Sequence, residues 1–276
     1  MFLLSLLFAV FYGIIQGVTE FLPVSSSGHL AIMQRFFGME DVEANYFSFG
    51  VLLHLATLVA VFIVYWRDIL PLIPACFTML GKLFCGRLKE FTDNEKFVIY
   101  IIIATLPLLP AVLVKDYVEV IFSYTKIIGG ILMFNAVVLF ISDGLAKGNK
   151  TISNAKPINA LVVGLCQMLA IVPGLSRSGS TITGGLTQGF DREFAVKFSF
   201  IMSIPAILGA NILELPEMLS TAVPSGDIVK YAAGMAAALI AGIAAMKLLA
   251  YISRKSNFRI FSYYSFAVGL VTLILA

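Results

Sequence analysis

Charge is what this 276-residue chain has least of: 13% of its residues are Asp, Glu, Lys or Arg, about half the share found in a soluble domain. That scarcity, with 59% apolar residues and a mean hydropathy of +0.96, excludes a soluble globular protein and leaves a chain that crosses a bilayer several times. The net charge of +3 is small and dispersed over loops, so it reads as the topology bias of cytoplasmic loops, and no basic arm or aromatic-basic stripe marks a nucleic-acid partner. Cysteine is sparse too. Cys76, Cys85 and Cys166 are odd in number, lie in or beside apolar segments and lack ligand-like pairing, which predicts inert thiols. No Lys or Arg precedes Arg35; the apolar N-terminus therefore lacks the basic region of a cleavable signal peptide and is expected to belong to the fold.

The polar residues that remain are concentrated. Gly13 to Leu30, GIIQGVTEFLPVSSSGHL, packs a glutamine, a glutamate, three serines and a histidine into one turn-rich stretch. Gly164 to Thr181, GLCQMLAIVPGLSRSGST, lies 151 positions on and matches it without a gap at Gly13/Gly164, Gln16/Gln167, Ser25/Ser176, Ser27/Ser178 and Gly28/Gly179. The same offset pairs Phe47-Ser48-Phe49 with Phe198-Ser199-Phe200. One registered offset over that distance is an internal repeat.

Each polar stretch interrupts what length alone would make a span. Met1 to Leu22 has about the 20 residues a spanning helix needs. Gln16, Thr19 and Glu20 followed by Pro23, three serines and Gly28 instead predict a re-entrant helix-loop-helix over Met1 to Phe37, because irregular backbone at membrane depth survives only inside protein or a watery cavity. The loop after it carries Glu40, Asp41 and Glu43. Phe47 to Tyr65 reads as a span closed by Trp66 and Arg67. The apolar piece after Pro71 leads to a basic linker with Lys82, Arg87, Lys89 and Lys96, a cytoplasmic signature. Phe97 to Val114 spans outward, kinked by Pro107 and Pro110; Lys115 to Lys126 is a charge-balanced loop; Ile127 to Ile141 returns to Lys147, Lys150 and Lys156. Pro157 to Phe190 is the second re-entrant hairpin. The spans Phe194 to Leu213, Val229 to Tyr251 and Ile260 to Ala276 follow, with Glu214, Glu217 and Asp227 outside and Arg254, Lys255 and Arg259 inside.

The expected fold is all-α and polytopic: one integral membrane unit over 1–276, with six spanning helices and two re-entrant hairpins in an inverted-topology repeat. The first repeat covers about 1–143 with hairpin 1–37, the second about 157–276 with hairpin 157–190. The hairpins enter from opposite sides and can meet tip to tip near the midplane, where membrane proteins of this build commonly place a site.

Gln16 and Glu20, four apart, share one helix face. A charged, unpaired Glu in a membrane segment costs about 2.5–3.5 kcal/mol, so it marks a site unless it merely clasps two helices. Ser26 and His29 sit a turn apart if a helix restarts after Pro23, giving a hydroxyl nucleophile beside an imidazole base; serines before a glycine also cap helices. On the other tip, PGLSRSGST joins Arg177 to hydroxyls at Ser176, Ser178, Ser180 and Thr181 and to flexible backbone at Gly174 and Gly179. Arg suits bidentate phosphate contacts and loop-to-helix amides point at anions, whereas a structural Arg177–Glu20 pair is the plainer reading. Acid, base, nucleophile and anion site facing each other point to phosphoryl transfer. His54, in FGVLLHLATL, reads as a hydrogen-bonded packing histidine, Asp191, Arg192, Glu193 and Lys197 as a solvated collar, and Asn135 and Asn211 as interhelical partners.

QGVTEFLPVSSSGHL and PGLSRSGST, supported by FSFIMSIPAILGA, resemble the undecaprenyl pyrophosphate phosphatases, the bacterial membrane proteins linked to bacitracin resistance, over essentially the whole chain. The family pattern of Glu or Gln, three residues, then Glu falls on Gln16 and Glu20, so this sequence has the Gln version. The resemblance implies hydrolysis of undecaprenyl diphosphate to the monophosphate lipid carrier and phosphate, for peptidoglycan synthesis. It places Ser26, His29 and Arg177 in the catalytic group, Glu20 beside them as base or metal-associated carboxylate, and Ser176, Arg177 and Thr181 on the diphosphate; Gln16, Ser25, Ser27, Gly174 and Ser178 complete the expected binding set. It further implies a divalent cation, Mg or Ca, and a multi-pass place in the bacterial inner membrane with the site facing the outer side. Bacitracin is expected to compete for the lipid, and a homodimer is an admissible assembly.

The phosphatidic acid phosphatase superfamily is excluded, because its spacing requires His and Asp where this chain has Thr183 and Thr187. A different class stays open at this level: a transporter or flippase for a lipid-linked anion would use the same inverted repeats and the same Arg177. Ser26 with His29 favours hydrolysis, with Ser26 attacking the terminal phosphorus, activated by His29 or Glu20, and direct attack by His29 or by water as alternatives.

Overall fold

The structure, a computed structural model, describes residues 5–36, 47–87, 90–122, 124–145, 147–220, 225–255 and 258–276. Expectations on Met1 to Leu4, on Phe37, on the Glu40, Asp41 and Glu43 loop and on Lys89 lie outside the described residues. The described chain is helical throughout, its one β-contact being an isolated bridge between Lys150 and Phe190. The helices are α1 Leu6–Phe21, α2 Ser26–Phe36, α3 Phe47–Ile69, α4 Leu72–Phe84, α5 Asp93–Thr105, a 3₁₀ helix Leu106–Val114, α6 Lys115–Phe122, α7 Thr125–Leu145, α8 Pro157–Leu169, α9 Arg177–Thr187, α10 Arg192–Ser220, α11 Ile228–Lys255 and α12 Arg259–Leu275.

Four of these, α3, α7, α10 and α11, are long and apolar enough to cross a membrane. α12 has 17 residues, and α5 stops at Thr105, where Pro107 and Pro110 tighten the continuation into the 3₁₀ helix; proline withholds the N–H that an α-helical turn needs. The expected loop over Lys115 to Lys126 is corrected: its first part is α6, which half-buries Val118, Ile121 and Phe122 on one face. Both polar stretches break where expected. α1 and α2 are separated by Leu22 to Ser25, α8 and α9 by Ala170 to Ser176.

Lipid tails are as apolar as leucine, so helices in a membrane associate through close packing of small residues and through hydrogen bonds. α1 lies along α11 at such a contact: a Cβ on Gly13 would stand 2.2 Å from the Gly234 carbonyl oxygen. Its repeat partner Gly164 brings α8 against α5, where a Cβ would stand 2.4 Å from the Ala104 carbonyl oxygen. Each hairpin therefore packs on a helix of the other half of the chain. The largest core cluster holds an aromatic group in which Phe194 and Phe198 meet both Phe97 and Phe190, and Phe21 lies edge-on to Phe200 at 5.6 Å.

Charged residues gather in a collar. Asp143 at the end of α7 pairs with Arg192 (3.0 Å) and Arg259 (3.5 Å) at the starts of α10 and α12, Lys197 pairs with Asp68 at 2.9 Å, and Glu193 pairs with Arg254. Helix ends read from sequence as lying on the cytoplasmic side thus come together. A cavity of about 300 Å³ opens beside the collar, between Asp68, Asp93, Phe97, Asp191, Glu193 and Lys197. None of the residues lining it belongs to the two polar tips, where the chemistry-bearing side chains meet. Asn211, expected to bridge helices, donates instead to the Ile207 carbonyl of its own α10 at 2.8 Å.

Candidate active site

Two short segments meet tip to tip. The Ser178 hydroxyl donates to the Leu22 carbonyl at 3.2 Å, and Asn135 of α7, 1% exposed, holds both breaks at once. Its Nδ2 donates to the Pro23 carbonyl at 3.2 Å and its Oδ1 accepts the Ser176 N–H at 3.2 Å. Gly174 turns the second break with φ +95°, and Ser25 turns the first with φ +72°. A serine held in that left-handed region costs about 1–2 kcal/mol, a strain that clusters at functional sites. α2 and α9 start from the tips, so two helix N-termini, each with the partial positive charge of its first-turn amides, share one locality.

Glu20 is the centre. It is 7% exposed at the end of α1, and its Oε2 accepts the Ser26 hydroxyl at 2.8 Å and the Gln16 amide at 3.1 Å. Its Oε1 accepts Arg177 Nη2 from the opposite tip, a contact 157 positions apart in sequence. The other terminal nitrogen, Arg177 Nη1, is buried without a partner, as is Gln16 Oε1. A buried polar atom left unpaired costs about 1–3 kcal/mol, so the pair points to something the site is built to receive.

The expected residues divide into two groups. Gln16, Glu20, Ser26 and Arg177 form one connected cluster. The hydroxyls of Ser25, Ser176, Ser178 and Thr181 face inward: Ser25 and Ser176 accept the N–H of Gly28 and Gly179, Ser178 reaches Leu22, and Thr181 reaches Ser199 at 2.6 Å. Ser27 approaches Ser25 Oγ at 3.3 Å. Ser26 and His29 share a helix but not a hydrogen bond. His29 Nδ1 lies 2.7 Å from the Ser25 carbonyl, and its Nε2 lies 3.0 Å from the hydroxyl of Tyr264, whose ring stacks on the imidazole at 5.5 Å.

Two residues beside these groups were not assigned to the site from sequence. Tyr264 sits on α12, and His54 on α3 brings Nδ1 to 3.2 Å from Gln16 Nε2 and 3.9 Å from Glu20 Oε2. His54 is therefore hydrogen-bonded as expected, but at the site and not in plain packing. Neither lies near a polar motif, and only its place in space connects it.

Comparison with known proteins gives the family. The sequence profile of the family described as Bacitracin resistance protein BacA matches residues 9–271. The chain belongs to the BacA family. Relatives within it include proteins named undecaprenyl-diphosphatase from Halothermothrix orenii, 37% identical over 97% of this chain and 96% of theirs, and from Methanobrevibacter smithii, 40% identical over 95% of each. A third BacA relative of the same name, from Thermosipho africanus, is 40% identical over 94% of this chain and 96% of its own. The matched span contains both tips, His54 and Tyr264.

Proposed function

We propose that this chain hydrolyses undecaprenyl diphosphate to undecaprenyl phosphate and inorganic phosphate, returning the lipid carrier to peptidoglycan synthesis and thereby giving bacitracin resistance. The observation that carries the site assignment is the Ser26 hydroxyl donating to Glu20 at 2.8 Å, while Arg177, paired to the other carboxylate oxygen, keeps Nη1 buried and unpaired. Ser26 Oγ attacks the terminal phosphorus. The new O–P bond forms as the bond to the bridging oxygen breaks, and the serine proton passes to Glu20 and on to the departing lipid phosphate. Arg177 Nη1 and the first-turn amides of α2 and α9 hold the charge on the transferring group. Water then attacks the same phosphorus; its proton moves through Glu20 to Ser26 Oγ as phosphate leaves.

In this reading His29 is turned from Ser26 by its two hydrogen bonds and contacts substrate only if Tyr264 yields. Among the described residues no group of three or more His, Cys, Asp or Glu is placed to hold a metal ion. Glu20 and the unpaired Gln16 Oε1 would be the protein contacts of a Mg or Ca ion bound together with the diphosphate. Such an ion would neutralise phosphate charge.

The membrane arrangement belongs to the same proposal: six crossings by α3, α5 with its 3₁₀ extension, α7, α10, α11 and α12, with the two hairpins re-entrant from opposite faces. The reciprocal packing of α1 on α11 and α8 on α5 supports the inversion, and the shared collar supports one sidedness for its helix ends. The collar then faces the cytoplasm and the first hairpin opens outward.

The test is phosphate release from undecaprenyl diphosphate by purified protein, with and without a chelator. We expect turnover in the wild type and a fall of at least about 10³-fold in Ser26→Ala and Arg177→Ala with the fold retained. Wild-type protein that moves the lipid across liposomes without releasing phosphate would replace this reading with transport.

A further inference from the structure

We propose that His54 is a positioning residue of this site, acting through Gln16 on Glu20; the inference rests on the assignment of Glu20 above. The amide of Gln16 faces two acceptors. Nε2 lies 3.1 Å from Glu20 Oε2 and 3.2 Å from His54 Nδ1, and Gln16 is 1% exposed. The opposite amide orientation would set its oxygen against the carboxylate oxygen at that distance, so the two hydrogens of Nε2 must serve the two contacts. His54 Nδ1 is then an acceptor that carries no proton, and the hydrogen of the neutral ring resides on Nε2. The 3.9 Å approach of His54 to Glu20 is longer than either bond made by Gln16, so the histidine communicates with the carboxylate through the amide.

The consequence is a linear chain of contacts. His54 fixes which way the Gln16 amide faces, Gln16 fixes the rotation of the Glu20 carboxylate, and that rotation aims Oε2 at the Ser26 hydroxyl. It also turns Gln16 Oε1 into its buried, unpaired position. Without an acceptor at Nδ1 the amide has one partner fewer, and the carboxylate samples rotations in which Ser26 no longer donates. A defect of this kind lowers kcat and leaves KM nearly unchanged, because the substrate anion is held by Arg177.

The side chain offers a clean geometric test. Asn places its oxygen where histidine has Nδ1, and Gln places its oxygen at the distance of Nε2. We expect His54→Leu to lower kcat on undecaprenyl diphosphate by about three- to tenfold, the worth of one neutral hydrogen bond, with KM within about twofold, and His54→Asn to recover most of that loss where His54→Gln does not. Recovery by Gln and not Asn, or wild-type kcat in His54→Leu, would overturn the proposal. A second measurement needs neither turnover nor a stable variant at position 54. The chain has 2 histidines, so ¹⁵N spectra of histidine-labelled protein resolve each ring: His54 should show an unprotonated, hydrogen-bonded Nδ1 whose shift moves in Gln16→Leu. A protonated Nδ1, or no response to Gln16→Leu, defeats the inference. If wild-type protein releases no phosphate, the functional reading fails while the spectrum still decides the His54–Gln16 contact.

Discussion

Ser25 and Ser176 occupy equivalent positions of the internal repeat and make the same hydrogen bonds. Each hydroxyl accepts the backbone N–H three residues ahead, Gly28 at 3.2 Å and Gly179 at 3.1 Å, and each approaches the hydroxyl two residues ahead, Ser27 at 3.3 Å and Ser178 at 3.1 Å. The equivalence stops at the backbone: Ser176 is an extended N-cap with φ −81°, whereas Ser25 sits at φ +72°. The strained copy is the one that delivers Ser26 to Glu20.

The caps give the first prediction. Ser176→Ala removes an acceptor from the start of α9 and should cost about 1 kcal/mol, the usual worth of an N-cap. Ser25→Gly should give back part of the strain and cost less, since glycine rests freely at that φ. Thermal unfolding of the two variants in detergent checks the order.

Asn135 is the shared anchor of both tips. Asn135→Leu leaves the Pro23 carbonyl and the Ser176 N–H buried without partners, and we expect a loss of about 1–3 kcal/mol in stability together with a larger proportional loss of activity. Unfolding midpoints and phosphate release on the same preparation test this. Activity that survives while stability falls would show that the tips keep their register without it.

For Tyr264 we expect a small effect. Tyr264→Phe keeps the ring that stacks on His29 and removes the hydroxyl 3.0 Å from Nε2, a single neutral hydrogen bond worth about 1 kcal/mol. Turnover should stay within about fivefold of wild type, and the ¹⁵N signal of His29 Nε2 should move. A hundredfold loss would put the tyrosine hydroxyl itself in the reaction.

Outside the membrane segments, Glu95 supplies a pH test. Hydrogen bonds from Lys82 at 2.7 Å and from the Thr92 N–H at 2.7 Å hold its carboxyl down at about 2, below the usual 4.5. A carboxyl depressed on folding contributes stability that is whole above pH 4.5 and is lost as pH falls toward 2. Wild-type unfolding midpoints should therefore drop across that window, and Glu95→Gln should flatten the drop.

The tips were legible because their chemistry is local. Pro23, the serine runs and Gly174 break a helix in any apolar context, and a lone Glu20 in a membrane segment asks for a partner, which Arg177 provides. The residues that sequence did not assign are joined over long separations, Gln16 to His54 across 38 positions and His29 to Tyr264 across 235, on apolar helices whose periodicity says only which face is buried. The spacing of Ser26 and His29 did put them on one short helix. It could not tell that the serine reaches back across the break to Glu20, or that the imidazole folds onto the Ser25 carbonyl. Asn135 was read correctly as a bridge and Asn211 was not, because an asparagine bonded to its own helix carries the same signature in sequence.

The fit of Gly13 against Gly234 has a consequence for how the protein is made. The first hairpin leaves the ribosome well before its packing partner: α1 ends at Phe21 and α11 begins at Ile228. At about 5–20 residues per second, tens of seconds separate the two. Until α9 is made Gln16, Glu20 and Ser26 have no Arg177 beside them, and until α11 is made the hairpin lacks the helix that packs on Gly13, so for that time the nascent chain carries an unhoused polar hairpin.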